Sequence, residues 1–417
     1  AEDRILLTYL KEYINSDWFW IFYDRDNGYG DCSQIVIEVT KFIEHYLIQL
    51  KPDSVELKTI FSDIETILFT LEEKVRPIDD WEIKQVPRNY VTPQTSVFDA
   101  IFSCLIKNFT INKENGISVW YNKIKPILDK RIHSKNERTC EFSLCLGKFL
   151  PFIDILDRAW LVKNIDVILP HNNFHIWSCT FTGYLKYAEL RLNTYKIFNA
   201  HGDYSHAISY YTEDNNVRER LIHHICIGYV NGQDPFGEST NLISQVIRVE
   251  SDFLPLLINS IHYMNRHQPL DNSQRKRVKT LWKIIVEKIS MDLTNVKNQK
   301  LISDLFEWVS IFDEIDNEIF EWLKISVKYL TIDNGSPFFT EYLAAHVARN
   351  PDKVAELLII NFSSGNTYPY DKDDIQKIVK ELFRCGLKGK ATTICNLYLS
   401  NGEPFLQEIY DQYHPPQ

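Results

Sequence analysis

The segment from Asp157 to Phe198 constrains the fold of this chain more than any other. It holds two apolar runs with helical spacing, separated only by the break PHNN at residues 170–173. Two helices joined by so short a connection must lie side by side. Similar pairs of helical runs recur along the chain about every 35–45 residues, a period typical of helical-repeat proteins. In such proteins each helix pair buries its apolar face against the next pair.

We therefore predict an all-α fold, an irregular α-solenoid of stacked helix pairs that forms a HEAT-like or TPR-like superhelix. No segment alternates strictly between apolar and polar residues, so no sheet is predicted. We expect a helix break at Pro151, and either a domain joint or a functional loop in the long connection from Val75 to Thr95. The predicted organisation is an N-terminal segment at residues 1–94, central repeats at residues 95–232 and C-terminal repeats at residues 233–417.

The charge balance argues against nucleic-acid binding. The chain carries 46 basic and 56 acidic residues, a formal net charge of −10, whereas nucleic acids are bound mainly by Lys and Arg side chains that neutralise phosphates. The densest basic cluster, Arg275-Lys276-Arg277 with Lys279 and Lys283, spreads around the circumference of a predicted helix. We interpret it as a solvated helix face, with an anion or nucleic-acid patch as the alternative.

Eight cysteines are scattered along the chain without the spacing of a disulfide framework. Most lie in apolar helical contexts, where a free cysteine behaves as a small hydrophobic residue. We therefore predict reduced thiols in a cytoplasmic protein. No apolar run reaches the ~18–20 residues of a membrane span, and the first residues do not resemble a signal peptide. Because the chain opens at Ala1 without an initiator Met, we expect a fragment of a longer protein.

Histidines and cysteines do not show metal-site spacing. Cys140 and Cys145 lie near His133, but a five-residue offset on one helix directs the two thiols apart. His171 and His175 have no further ligands at metal-site spacing, and we interpret them as residues that cap helix ends. No metal site is predicted.

Catalytic and nucleotide-binding motifs are equally missing from the sequence. There is no GxxxxGK[ST], GxSxG or HExxH. The adjacent pair His223-His224 lies about 100° apart on a predicted helix and cannot face one ion; we expect one ring to be half-buried and the other exposed. The sequence therefore predicts no cofactor and no enzymatic activity.

Six consecutive large apolar residues, Trp18 to Tyr23, cannot all point into one core. We expect this run either to wedge a terminal helix into the first repeat or to form a surface for a partner. Trp and Tyr are also the residues enriched in binding hot spots. The candidate partner-binding residues are Trp18, Trp20, Tyr210, Tyr211, Trp282, Trp308, Trp322 and Tyr368.

Two parts of the chain carry a recognisable pattern: RAW, ILP, IW and TGYL within residues 158–185, and the segments 341–358 (EYLAAHVARNPDKVAELL) and 390–410 (KATTICNLYLSNGEPFLQEIY). They resemble the C-terminal helical regions of prokaryotic antiviral STAND-type NTPases and related sirtuin-linked defence proteins. The resemblance implies a sensor array that binds a foreign protein and is coupled to NTPase and effector domains. No residue matches the catalytic motifs of those domains, so none carries over.

The expected function is therefore protein recognition, with a viral protein bound along the solenoid surface. The other expected partners are upstream NTPase or effector domains of the same parent protein, and neither nucleic acid nor membrane is expected. The alternatives are a helical-repeat scaffold, a nucleic-acid-binding protein and an enzyme with an unrecognised site.

Overall fold

The computed structural model describes residues 2–25, 31–52, 56–77, 91–134, 138–210, 215–234, 241–248, 253–330, 338–365 and 371–414. Every regular element in these ranges is a helix, which confirms the all-α prediction. None of the described helices is both long and apolar enough to cross a membrane.

The first twelve α-helices, α1 to α12, span Glu2–Ile14, Asp17–Arg25, Asp31–Gln49, Leu57–Lys74, Pro93–Ile111, Lys113–Val119, Lys125–His133, Cys140–Lys163, Ile165–Ile168, Phe174–Tyr187, Leu192–His201 and Asp203–Tyr210. Helices α13 to α23 span Asn215–Val230, Leu242–Arg248, Leu254–His267, Asn272–Ile289, Val296–Asp304, Asn317–Ser326, Phe339–His346, Pro351–Ser363, Lys372–Arg384, Lys388–Ser400 and Gln407–Tyr413. A π-helical turn occupies Trp120–Ile124, and 3₁₀ segments occupy Ser290–Asp292, Leu305–Ile311 and Pro404–Leu406.

The chain forms two compact units, Ala1–His206 and Ala207–Gln417. The borders predicted at residues 94/95 and 232/233 lie inside these units. Residues 78–90 of the proline-containing connection lie outside the described residues, but the helices on either side of it, α4 and α5, pack against each other. The connection therefore joins two parts of one compact unit.

Helix α5 occupies a central position in the first unit, where it packs against α3, α4, α6 and α8. Its residues Phe98, Phe102 and Leu105 are buried, and the Phe102 ring stacks on Phe149 of α8 with centroids 4.3 Å apart. Both sides of α5 thus contribute to the core, which explains why its sequence is apolar around most of the helix.

Helix α8 bends sharply at Asp157, where φ of −151° and ψ of 71° are not helical. The helix continues through Pro151, so the predicted break is displaced toward the C-terminus. Asp157 Oδ1 accepts a hydrogen bond from the backbone N–H of Trp160 at 3.0 Å and so caps the following turn. Arg138, just before α8, donates to the carbonyl oxygen of Ile168 at 2.8 Å. The chain after Asp157 therefore runs back toward the start of α8.

Helices α8 and α10 are in direct backbone contact at two glycines. A Cβ atom on Gly147 would lie 1.9 Å from the carbonyl oxygen of Thr180, and a Cβ atom on Gly183 would lie 2.0 Å from that of Leu144. Only a residue without a side chain allows so close an approach.

A disulfide joins Cys140 of α8 to Cys179 of α10, with Cα atoms 5.5 Å apart. The expectation that all cysteines are reduced is therefore wrong for this pair, because α8 and α10 bring together residues that lie far apart in sequence. The other six cysteines take part in no disulfide among the described residues. Among them, Cys145 is buried with its Sγ 3.6 Å from the carbonyl oxygen of Thr95, as expected of a structural thiol.

Helices of the second unit pack against the next helix but one along the chain. Helix α13 packs against α15, α18 against α20, α19 against α21, and α20 against α22. Sequence neighbours such as α20 and α21 also pack together. Successive helix pairs of this unit consequently share apolar faces.

Candidate functional site

Four of the predicted partner-binding tryptophans belong to the core. Trp282 and Trp308 have no exposed surface, and Trp322 is 8% exposed; the rings of Trp308 and Trp322 lie 6.0 and 5.4 Å from Trp282. Trp20 is also buried and donates Nε1–H to the carbonyl oxygen of Ile14 at 2.7 Å. These side chains stabilise each unit from within, because large aromatic rings bury much apolar area.

Trp18 and Tyr210 are the described candidates with exposed rings, at 56% and 38%. Tyr210 is the last residue of α12. Tyr211 and Tyr368 lie outside the described residues. Trp18 belongs to a larger apolar surface on α1 and α2.

This surface, which we call the aromatic ridge, consists of Ile5, Tyr9, Tyr13, Trp18 and Phe22. Ile5, Tyr9 and Tyr13 follow one another at four-residue intervals and so share one side of α1. The Trp18 ring lies 5.8 Å from the Tyr13 ring and 4.8 Å from the Phe22 ring. Tyr13 is half-buried and the other four are exposed. The ridge therefore continues from α1 onto α2.

The aromatic run at the start of α2 contributes to both the core and the surface. Phe19 and Tyr23, four residues apart, are buried. Trp18 and Phe22, also four residues apart, point outward together with Ile21. This division follows from the helical period, because consecutive side chains are about 100° apart.

A shallow groove of about 480 Å³ runs beside the aromatic ridge. Its lining residues are Tyr9, Leu10, Glu12, Tyr13 and Ser16. Two phenol rings and an aliphatic side chain provide apolar contact, and the Glu12 carboxylate provides one negative charge. The groove is thus suited to apolar side chains flanked by a positive one.

A second candidate site lies where two turns of the first unit meet. The turn before α10 carries His171, and the turn between α11 and α12 carries His201 and Asp203 on either side of Gly202. Gly202 has φ of 92°, a left-handed conformation that favours glycine and commonly ends a helix. Helix α11 therefore ends at His201, just before this glycine, and α12 begins directly after it at Asp203.

Asp203 has no exposed surface, and its carboxylate is surrounded by donors. Oδ1 faces His171 Nε2 and accepts from Trp177 Nε1–H, both at 2.9 Å, while Oδ2 faces His201 Nδ1 at 2.9 Å. The second ring nitrogen of His201, Nε2, lies 3.1 Å from Asp166 Oδ1. We call these five residues the Asp203 cluster. Its contacts satisfy a buried carboxylate, as burial of a charge requires.

A third histidine, His206, adjoins the cluster. Its ring stacks on His171 with centroids 5.2 Å apart and meets the Trp177 ring edge-on at 4.3 Å. Within the described part of the chain, its buried Nε2 has no hydrogen-bond partner. Burial and the neighbouring His171 lower the pKa of His206, whereas the hydrogen bond to Asp203 raises the pKa of His201.

The ligand atoms of His171, His201 and Asp203 all lie within 4.8 Å of one another, a donor set that divalent transition metals bind. The sequence interpretation of His171 as a capping residue missed these partners, since His201 and Asp203 were not recognised as site residues. The available signal was the His-Gly-Asp turn at residues 201–203.

A second such set combines Cys140, His175 and Cys179, but its two sulfur atoms are bonded to each other. His224 is buried and His223 is half-buried, so the prediction of an exposed ring in this pair is wrong. His223 Nδ1 lies 3.0 Å from Ser260 Oγ, which places the pair in helix packing.

Acidic side chains neutralise part of the basic cluster at the start of α16. Arg275 lies 2.5 Å from Asp313, and Lys279 lies 2.6 Å from Asp316 and 3.0 Å from Glu318. These pairs reduce the positive potential that a phosphate would meet, and they favour the solvated-face interpretation.

Comparisons of the chain with protein-family models, with curated proteins and with solved structures find no match. The aromatic ridge and the Asp203 cluster are therefore the features from which function has to be inferred.

Proposed function

We propose that this chain is a protein-recognition module, the sensing part of a prokaryotic antiviral defence protein of the STAND type, and that it binds a viral protein. The observation that carries the proposal is the aromatic ridge on α1 and α2. Contiguous exposed apolar surface usually marks an interface, and Trp and Tyr side chains dominate binding hot spots. The resemblance in residues 158–185, 341–358 and 390–410 supports the viral identity of the partner.

The proposed activity is binding, without catalysis, in the cytoplasm. The ridge offers hydrocarbon and phenol groups, which supply contact area and hydrogen bonds but no strong acid, base or nucleophile at neutral pH. The adjoining groove adds one carboxylate, Glu12. We therefore expect the partner to present an apolar segment next to a Lys or Arg residue.

We further propose that the helix pairs stack as an irregular α-solenoid of the HEAT or TPR type. The contacts between next-but-one helices in the second unit support this arrangement, because stacked pairs share their cores in that way. Small-angle scattering tests it. A radius of gyration near the compact expectation of about 2.2·N^0.38 Å would contradict the proposal.

Site-specific photo-crosslinking tests the recognition proposal. A photoreactive residue at position 21, whose Ile21 side chain is 52% exposed beside the ridge, is introduced into the full parent protein in infected and uninfected cells. We expect a crosslink to a viral protein in infected cells only. Because hot-spot truncations cost about 2 kcal/mol or more, Trp18→Ala and Phe22→Ala should each weaken binding of the purified partner by roughly 30-fold.

Tyr121→Ala is the matched control, since Tyr121 is an aromatic residue of the same unit, 49% exposed and outside the ridge. It should leave capture unchanged, and all three variants should melt at the wild-type temperature because the replaced rings are exposed. The proposal fails if capture does not depend on infection, or if Tyr121→Ala and Trp18→Ala weaken it equally. A crosslink found only within the parent protein itself would show that the ridge contacts an upstream domain and not a viral protein.

A further inference from the structure

We propose that the Asp203 cluster binds one divalent transition-metal ion of the zinc class, with His171 Nε2, His201 Nδ1 and a carboxylate oxygen of Asp203 as ligands. The site is separate from the aromatic ridge, so the proposal goes beyond protein recognition.

The distances within the cluster suit such an ion. Zinc–nitrogen and zinc–oxygen bonds of about 2.0–2.1 Å place tetrahedral ligand atoms about 3.3 Å apart. His171 Nε2 and His201 Nδ1 each lie 2.9 Å from an oxygen of Asp203. The two imidazoles face different oxygens of Asp203, Oδ1 and Oδ2, and the ligand atoms of the three residues lie within 4.8 Å of one another. An ion bound by both nitrogens and one carboxylate oxygen therefore requires one imidazole to shift toward that oxygen.

The residues behind the ligands match the supporting contacts of metal sites. A ligating imidazole usually donates its other N–H to a carboxylate or carbonyl group, and His201 Nε2 lies 3.1 Å from Asp166 Oδ1. Ligating carboxylates are themselves hydrogen-bonded, and Trp177 Nε1–H donates to Asp203 Oδ1 at 2.9 Å. Trp177 is thus a positioning residue that fixes the orientation of Asp203, and Asp166, whose side chain is 91% exposed, supports His201 from the surface.

Exposure of the cluster is graded, so an ion can enter from one side. The Asp203 side chain is fully buried, that of His201 is 14% exposed and that of His171 is 39% exposed. Three protein ligands leave one tetrahedral position for water, the pattern of open zinc sites. His206 adds a third imidazole beside His171, and its Nε2 has no hydrogen-bond partner among the residues that the structure describes. We infer that the ion, once bound, would tie the turn before α10 to the turn before α12.

Metal titration of the chelator-treated full chain tests the proposal. Calorimetry with Zn²⁺ should give one ion per chain, and Zn²⁺ should raise the melting temperature because it binds the folded state. With Co²⁺ we expect visible absorption bands of nitrogen and oxygen ligation, without thiolate-to-metal charge transfer. His171→Gln and His201→Gln should each weaken Zn²⁺ binding by at least about 100-fold, and Asp166→Ala by about 10-fold.

Two controls address the neighbouring set of Cys140, His175 and Cys179. His175→Gln and the double variant Cys140→Ser/Cys179→Ser should leave the stoichiometry and the Co²⁺ spectrum unchanged. His171→Gln is the decisive variant should His201→Gln unfold, because His171 is partly exposed and glutamine keeps an N–H donor for Asp203. The proposal is overturned by substoichiometric binding, by full affinity in His171→Gln, or by a thiolate band that disappears in the double cysteine variant.

Discussion

His224 of α13 is a single residue whose burial makes the free energy of unfolding depend on pH. Only 2% of its surface is exposed. Burial, followed by the neighbouring His223 and Arg220, lowers its pKa to about 3. An unfolded histidine titrates near 6.5, so the unfolded state binds more protons below that pH. We therefore expect the free energy of unfolding to decrease as the pH falls from about 6.5 toward 3, by up to about 1.4 kcal/mol per pH unit from this residue.

Urea unfolding between about pH 7 and pH 5 measures this dependence. His224→Gln removes the titrating group and should flatten the slope, whereas His133→Gln, at an exposed position of α7, should leave it as in the wild type. An unchanged slope in His224→Gln would show that other groups dominate acid destabilisation.

At the scale of elements, the contact between α8 and α10 depends on glycine. A Cβ atom at Gly183 would lie 2.0 Å from the carbonyl oxygen of Leu144, so Gly183→Ala must force the two backbones apart. Overpacking of this kind typically costs about 1–3 kcal/mol of unfolding free energy. Denaturant titration measures the loss, which we also expect for Gly147→Ala.

Gly389 provides the matched control because it lies in α22 and a Cβ atom there would meet nothing within 4 Å. Gly389→Ala should stabilise the protein by up to about 1 kcal/mol through higher helix propensity and a less flexible unfolded chain. Equal effects of Gly183→Ala and Gly389→Ala would mean that α8 and α10 are not in backbone contact.

The disulfide supports the same pair of helices. Cys140 and Cys179 are separated by 39 residues, for which the chain-entropy relation gives about 4 kcal/mol of stabilisation. We expect reduction with a phosphine to lower the free energy of unfolding by up to that amount, with intact mass confirming the change. The double variant Cys140→Ala/Cys179→Ala should not respond to the reductant, and a wild-type protein that is equally insensitive would contradict the bond.

Helix positions could be predicted from the sequence because their signals are local. The second apolar run, after the break at residues 170–173, corresponds to α10, which begins at Phe174 because the Asn173 side chain accepts a hydrogen bond from the N–H of Ile176. The bend at Asp157 could not be predicted, since Pro151 is the stronger local breaker. Tertiary packing of α8 decided between the two positions.

At the scale of the whole molecule, the missed features all depend on contacts between distant residues. The sequence shows that aromatic side chains are abundant, but it does not show which of them a neighbouring helix covers. Trp18 and Trp282 carry the same sequence signal, yet Trp18 is exposed and Trp282 is buried. The Asp203 cluster joins His171 to a residue 32 positions away. No spacing rule connects these two, because the intervening helices set their distance.

The net charge of −10 bears on the nucleic-acid alternative, which the basic cluster of α16 would have to support. Arg275 is paired with Asp313, and Lys279 is paired with Asp316 and Glu318. Arg275 and Lys279 are therefore less able to neutralise phosphates, and we expect single-stranded and duplex oligonucleotides to bind no tighter than about 10⁻⁴ M at physiological salt. Fluorescence anisotropy over a salt series measures this affinity.

The variant Asp316→Asn/Glu318→Gln releases Lys279 and should bind oligonucleotides more tightly at low salt. Micromolar binding by the wild type, with a steep salt dependence, would favour a nucleic-acid partner over a protein.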